Sequence, residues 1–332
     1  MKIKILVLII FPFLLNGQIQ KNEFIYLNAP FPSCHASTLE EIPGGLIAAW
    51  FGGKHEKNPD VGIWTSRFQN GKWSEPIEVA NGIQNANLRY PTWNPVLFQW
   101  PNGDLLLFYK EGPAPDEWWG MMKRSKDNGK SWSEAEKLPK NIIGPVKNKP
   151  EMIGKTLLSP SSTEDKGWRL HMEFTEDQGK TWTRTAMLNA RKDAAIQPSI
   201  LKLKDGRLSL VCRSKTGFIL QSFSNDNGKT WTKLSKTNLL NPNSGIDAVS
   251  LKDGRHLIVY NPTTEKTGNR GILAVAISED GLTWKNIIEL ENEMGSEFSY
   301  PAIIQTSDGN IHITYTWKRQ KIKHVILDIN KI

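Results

Sequence analysis

The side chains in this sequence best suited to chemistry are scattered along its whole length. Tyr300, His35 and the carboxylates Asp60, Glu111 and Asp247 are groups that attack carbon or move protons. Arg213, Arg270 and Lys110 are groups that hold an anion, and Asn94 and Gln197 add neutral hydrogen-bonding capacity. Such distant residues act together only if the chain brings each of them back to one place, and five turn glycines measure the distances. Nine residues before Gly44, Gly103, Gly206, Gly254 and Gly309 stand His35, Asn94, Gln197, Gly245 and Tyr300. Seven residues after the last four stand Lys110, Arg213, Asn261 and Thr316. Both ends of a hairpin lie opposite its turn, so both sets are expected around one opening, with Lys149 as the counterpart from a shorter hairpin. A general acid, a nucleophile and an anion clamp can all be drawn from that set, although a polar ring also serves simply to solvate a channel.

The elements that must position these residues are repeats, and a period of about 40 to 50 residues signals propeller blades or solenoid units. Ser125-Lys126-Asp127-Asn128-Gly129-Lys130-Ser131-Trp132 recurs at 175–182 and 224–231, with a copy one residue shorter at 278–284. A degenerate copy at 66–73 keeps Asn70, Gly71 and Trp73. In such a turn Asp accepts from backbone N–H groups, Gly takes the left-handed conformation and Trp covers apolar surface between strands. A second repeat runs in step: alternating apolar strands joined by Asn102-Gly103, Asp205-Gly206, Asp253-Gly254 and Asp308-Gly309, the strongest short hairpin signal. Residues 36–50 around Pro43-Gly44 and the short segment 150–159 around Gly154 bring these hairpins to six. Five are followed by a tryptophan-bearing hairpin, which gives four strands per unit. The sixth lacks one, so residues 24–27 are expected to complete the last unit and close the ring, leaving no open sheet edge.

The tryptophan-bearing repeat resembles the Asp box, or BNR repeat, of sialidases, and the likeness covers nearly all of the chain after residue 20. It implies an all-β fold, a six-bladed β-propeller, in one domain spanning 21–332. Tyr300, in Phe298-Ser299-Tyr300-Pro301, looks like that family's nucleophile, and Asp60, in Asn58-Pro59-Asp60, looks like its acid/base. Arg213 and Arg270 look like two of its three substrate-clamping arginines. Two positions depart from the pattern. The glutamate that activates the tyrosine is replaced by Gln197, and the first arginine by the stretch Ser33-Cys34-His35-Ala36. An imidazole at His35 beside Tyr300 suits proton transfer near neutral pH, in hydrolysis or in β-elimination at a uronate.

Composition narrows the partners. Lys2 and Lys4 precede the apolar run 5–15, the pattern of an export signal, here taken as residues 1–20. No other apolar run approaches the ~20 residues needed to span a bilayer, so no stable membrane insertion is expected. The net charge of +8 favours an anionic glycan or oligosaccharide. The basic residues are scattered and not striped, which argues against nucleic acid. Cys34 and Cys212 are too few for a disulfide framework or metal cage; a pair and two buried thiols both fit. No spacing suggests a catalytic metal, and no cofactor or stable oligomer is expected. His171, His256, His312 and His324 fall within strand patterns and read as structural, whereas His55 lies in a loop that could overhang the opening. Tryptophans 118 and 119, after Glu111, could stack on sugar rings or pack in the core, and Lys318 and Arg319 could add positive charge to the opening. The expected activity is an exo-acting glycoside hydrolase releasing a terminal acidic sugar. A polysaccharide lyase using His35 and Tyr300 is the second reading, and a non-catalytic glycan-binding propeller, suggested by Gln197, is the third.

Overall fold

The computed structural model describes residues 17–101, 103–165 and 167–332. Most of the 1–20 segment read as an export signal, and Asn102 of the second hairpin turn, lie outside the described residues. Blade 1 is built from Ser33–Ile42, Gly45–Gly53, Gly62–Gln69 and the outer strands Lys72–Trp73 and Ile77–Ala80. Blade 2 follows with Thr92–Gln99, Leu105–Glu111, Trp119–Ser125 and Glu136–Lys137, and blade 3 with Glu151–Ile153, Thr156–Thr163, Arg169–Thr175 and Thr183–Arg184. Blade 4 comprises Ala195–Lys202, Leu208–Ser214, Phe218–Ser224 and Ser235–Leu240; blade 5 comprises Asp247–Ser250, His256–Tyr260, Ile272–Ser278 and Lys285–Asn292. Blade 6 takes Phe298–Gln305, Ile311–Trp317 and Lys321–Leu327 from the end of the chain and Ile19–Phe24 from its beginning. The protein is thus an all-β, six-bladed propeller, as its repeats imply.

The strand that closes the ring begins five residues earlier than the sequence suggests. Residues 24–27 look like a strand because they are apolar, yet the closing strand is Ile19–Phe24, paired antiparallel with Lys321–Leu327. An outermost strand needs only one half-buried face and is written here in polar residues, IQKNEF. The apolar Ile25 and Tyr26 leave the sheet to fill the gap between blades 6 and 1, where Tyr26 stacks on Trp50 at 5.2 Å. This strand begins inside the 1–20 segment.

Six apolar clusters hold the described residues together, one in each gap between neighbouring blades. Fully burying a Leu, Ile or Phe side chain contributes about 1.5–3 kcal/mol, so these gaps are where the fold gains its stability. The repeated box braces them. Asp127 accepts from the backbone N–H groups of Lys130 and Ser131 at 3.1 and 2.8 Å and from the Ser131 hydroxyl at 2.6 Å. These bonds, the hydroxyl's first, hold the Asp127 carboxyl far below the usual carboxylate range, and the Thr230 hydroxyl does most to pull Asp226 down to about 2. The box glycine has two reasons to be glycine. Gly129 and Gly228 have φ near +80°, and a Cβ on them would come within 2.4 Å of Ile47 and 2.6 Å of Leu158, each on the preceding blade.

Closure also depends on a histidine pair. His312 Nδ1 and His324 Nε2 lie 2.9 Å apart with stacked rings, and Trp73 of blade 1 donates its indole N–H to His324 Nδ1 at 3.2 Å. Burial, then the neighbouring His324, lowers His312 to about 4. In the unfolded chain a histidine takes its proton near 6.5, so the contribution of neutral His312 is fully present above that pH and is lost as pH falls toward 4. The full loss amounts to about 3–3.5 kcal/mol at roughly 1.4 kcal/mol per unit. Thermal unfolding at pH 7 and pH 4.5 is expected to show a drop that His312→Gln reduces; an equal drop in both proteins would show that this pair does not set it.

Candidate active site

The innermost strands do not run straight into the mouth of the channel. Register breaks at His35/Thr38, Ile196/Pro198 and Ser299/Ala302 mark bulges, and a fourth lies opposite Phe108/Lys110. At these bulges Ala36, Asn94, Gln197 and Tyr300 adopt left-handed backbone with φ between 38° and 58°. Such backbone is costly for non-glycine residues and accumulates where a side chain must be re-aimed. Three of the four are residues reached by counting nine back from the turn glycines. In blade 3 the corresponding left-handed residue is Lys147, two positions before the expected Lys149.

Tyr300, Arg213 and Gln197 meet. Arg213 Nη1 donates to Tyr300 Oη at 2.6 Å and to Gln197 Oε1 at 3.2 Å, while Nη2 donates to the backbone and side-chain oxygens of Asn243 at 2.6 and 2.8 Å. The Tyr300 ring is held from both sides. His35 lies with its centroid 4.1 Å from that of Tyr300, and a Cβ on Gly245 would come within 3.1 Å of the tyrosine ring. Gly245 is therefore a space-maker, which explains why a glycine occupies the ninth-residue position in blade 5. His35 is buried, with Nδ1 3.0 Å from the Thr316 hydroxyl. Burial and then the charges of Arg319, Arg270 and Arg213 press its pKa well below the usual histidine value, so it is a neutral imidazole packed behind the tyrosine.

Two further guanidinium groups stand beside Tyr300's blade. Arg270 Nη1 and Arg319 Nε both donate to Glu297 Oε1 at 3.0 Å, and the Ser299 hydroxyl adds a third bond at 2.7 Å. Burial would raise Glu297, but Arg319 and Arg270 outweigh it and the net direction is down, so this group is an anion. Arg319 also donates to Glu56 at 2.6 Å, tying the loop that carries Asp60 to blade 6. Asp60 itself accepts from the Lys54 N–H at 3.1 Å, and Arg89 donates to its carbonyl at 2.8 Å. Asp60 thus anchors its loop at the rim of blade 1, and no hydrogen bond among the described residues joins it to Tyr300.

The remaining expected contacts lie elsewhere. Lys110 is fully buried, donates to the Pro145 carbonyl at 2.8 Å and is lowered to about 7 by burial; it supports the chain between blades 2 and 3 and does not face the arginines. Glu111 accepts from Gln84 of the inserted hairpin made by Gly82–Asn85 and Leu88–Tyr90. Asp247 is buried and bonds Lys149 at 2.8 Å, joining blade 5 to the chain that enters blade 3. Asn94 makes no side-chain hydrogen bond to the Arg213 group. Cys34 and Cys212 are separate buried thiols. Sequence reasoning missed Asn243, Glu164, Trp168 and Glu297. The first three sit outside any repeat position; Glu297 lies three residues before Tyr300 and could have been found by reading that loop for a counter-ion to the arginines.

A closed six-bladed ring with Asp-box turns, a tyrosine held by arginine at its mouth and further arginines alongside is the architecture of a sialidase-like BNR repeat protein. The chain belongs to the BNR repeat-like domain family, whose model matches residues 44–313. No curated protein matches the sequence. Among solved structures, a protein of unknown function from Dyadobacter fermentans superposes with a TM-score of 0.75 at 18% identity, covering 94% of this chain and 99% of that one. The NanB sialidase of Streptococcus pneumoniae gives 0.70 at 15% identity over 93% and 71% of the two chains. The intramolecular trans-sialidase of Ruminococcus gnavus, solved with oseltamivir carboxylate, gives 0.72 at 14% identity over 90% and 95%. At these identities the likeness carries the fold.

Proposed function

We propose that this protein is an exported glycoside hydrolase that removes a terminal acidic sugar from a glycan. One observation carries the reading. Arg213 is 5% exposed, yet among the described residues no carboxylate lies within ion-pair distance of it, and its Nε has no partner. Buried charges are ordinarily paired, and burial works against this guanidinium. Arginine stays protonated throughout, so the positive charge at the mouth calls for an anion supplied from outside. A carboxylate on the sugar satisfies it, with Arg270 as a second contact whose own charge is largely offset by Glu297.

In this reading Tyr300 presents its phenol oxygen to the anomeric carbon, as nucleophile or as orienting group, and Arg213 fixes where that oxygen points. Asp60 transfers the proton to the departing oxygen from the rim of blade 1. Gln197 is a neutral amide and takes no proton; it holds Arg213 and leaves the tyrosine without a carboxylate partner. A second reading is elimination at a uronate, in which the Tyr300 phenol moves the proton while the buried His35 holds its ring from behind.

Purified protein screened on sialosides, uronate oligosaccharides and rhamnosides separates the two, because elimination leaves an unsaturated product that absorbs in the ultraviolet and hydrolysis does not. The anion claim has its own test. An acidic monosaccharide such as N-acetylneuraminic or galacturonic acid is expected to raise the melting temperature of the wild type. Arg213→Lys, which loses the fork to Tyr300 and Asn243, is expected to bind it about ten-fold more weakly. Equal stabilisation of both proteins would remove Arg213 from the site.

A further inference from the structure

A groove of about 970 Å³ runs between blades 2 and 3, lined by residues 115–119, 137–143 and 163–165 together with Arg169, Arg184 and Met187. That is at the upper end of the range for small-molecule sites. Its walls mix aromatic rings with both signs of charge: Trp118 and Trp119, Glu117 and Glu164, Arg169 and Arg184. Trp119 is already covered, with Lys137 4.2 Å above its ring and Tyr90 edge-on. Trp118 is half-buried and meets Trp93 edge-on at 5.9 Å, which leaves it as the platform in the groove.

The inner end of the groove adjoins the mouth. Glu164 lines the groove and accepts the Trp168 indole N–H at 2.9 Å, while the Arg213 guanidinium lies 4.9 Å from the Trp168 ring centre. One indole therefore separates the groove from the arginine that holds Tyr300. The geometry points to a subsite for the inner units of an oligosaccharide whose terminal acidic unit sits on Arg213, an inference that rests on the function proposed above. Sugar hydroxyls both donate and accept, which a lining of carboxylates and guanidinium groups can meet, and a sugar ring offers an apolar face to Trp118. Acids and bases occur in equal number along these walls, so the units they take are uncharged or of mixed charge, unlike the unit at the mouth.

The test is titration calorimetry of the whole protein. The probes are hyaluronan hexasaccharide, hexagalacturonate, cellohexaose and xylohexaose, with galacturonic and N-acetylneuraminic acid as reporters of the mouth. Hyaluronan hexasaccharide, in which acidic and neutral units alternate, is expected to bind ten-fold or more tightly than an acidic monosaccharide. Trp118→Ala is expected to abolish that gain and leave monosaccharide binding unchanged, and Trp118→Phe to restore most of it. The proposal is overturned if no hexasaccharide out-binds the monosaccharides, or if the gain survives in a folded Trp118→Ala protein. A wild type that ignores both acidic monosaccharides yet binds cellohexaose or xylohexaose through Trp118 would instead overturn the reading of the mouth and leave the groove standing.

Discussion

Tyr300→Phe is expected to lower turnover about a thousand-fold while the protein stays folded. The phenyl ring keeps its packing between His35, at 4.1 Å, and the space left by Gly245. Only the Oη atom is lost, and with it the 2.6 Å bond from Arg213. A thousand-fold is about 4 kcal/mol at roughly 1.4 kcal/mol per factor of ten, in keeping with removal of an atom that engages the reacting centre. The measurement is the initial rate on whichever substrate the screen identifies, alongside the melting temperature. A variant that turns over within a few-fold of wild type would show that the phenol takes no part. A large fall in melting temperature would mean that the Arg213 bond is mainly structural, because the guanidinium would then be losing a partner that the fold needs.

Asp247→Ala is expected to destabilise the protein by about 3–5 kcal/mol, the usual result of stranding one member of a buried ion pair. Asp247 is 2% exposed and its two oxygens serve four donors: Lys149 at 2.8 Å, Ser199 at 2.9 Å and the backbone N–H groups of Ala248 and Ile303 at 3.0 Å. Those partners come from four different segments around the channel, so this one carboxylate ties blades 4, 5 and 6 to the strap between blades 2 and 3. Burial would raise it, but Lys149 and Lys147 pull harder and the net direction is down. Its contribution is therefore present above the ordinary carboxylate range and lost as pH falls below it. Denaturant unfolding at pH 7 measures the loss, and Asp247→Asn, which keeps acceptor and shape, should fall between wild type and alanine. A loss under about 1 kcal/mol for alanine would show that the pair is not what holds the channel.

These two residues show how unevenly the site could be read. Tyr300 was reached by counting from Gly309, because hairpin length is fixed by local turn geometry and the repeat preserves it. Asp247 was reached by position near the same count, yet it serves the interior, because whether a polar side chain at a strand start points up into the mouth or across the channel depends on a bulge. Blade 5 has no bulge at Asp247, whereas blades 4 and 6 have theirs at Gln197 and Tyr300. Lys110 was misplaced because its strand end is buried between blades, where its ammonium donates to the Pro145 carbonyl. The closing strand was displaced because an outer edge strand carries no hydrophobic signature.

The amino-acid sequence by itself determined the blade, because each Asp box and each Asp-Gly or Asn-Gly turn is a local device whose hydrogen bonds close within about eight residues, and six hairpins in series determined the ring. It also determined that Tyr300, Arg213 and Gln197 share an opening. Only the tertiary structure decided that Arg213 bonds both of the others and lacks a carboxylate partner, that Glu297 joins Arg270 to Arg319, and that Trp168 stands between the mouth and a groove. These are contacts between blades or across loops, set by how far each bulge turns a side chain and by which charges are left to face one another. No local pattern encodes that, since the chain positions involved have no fixed spacing and the choice among partners is made by burial.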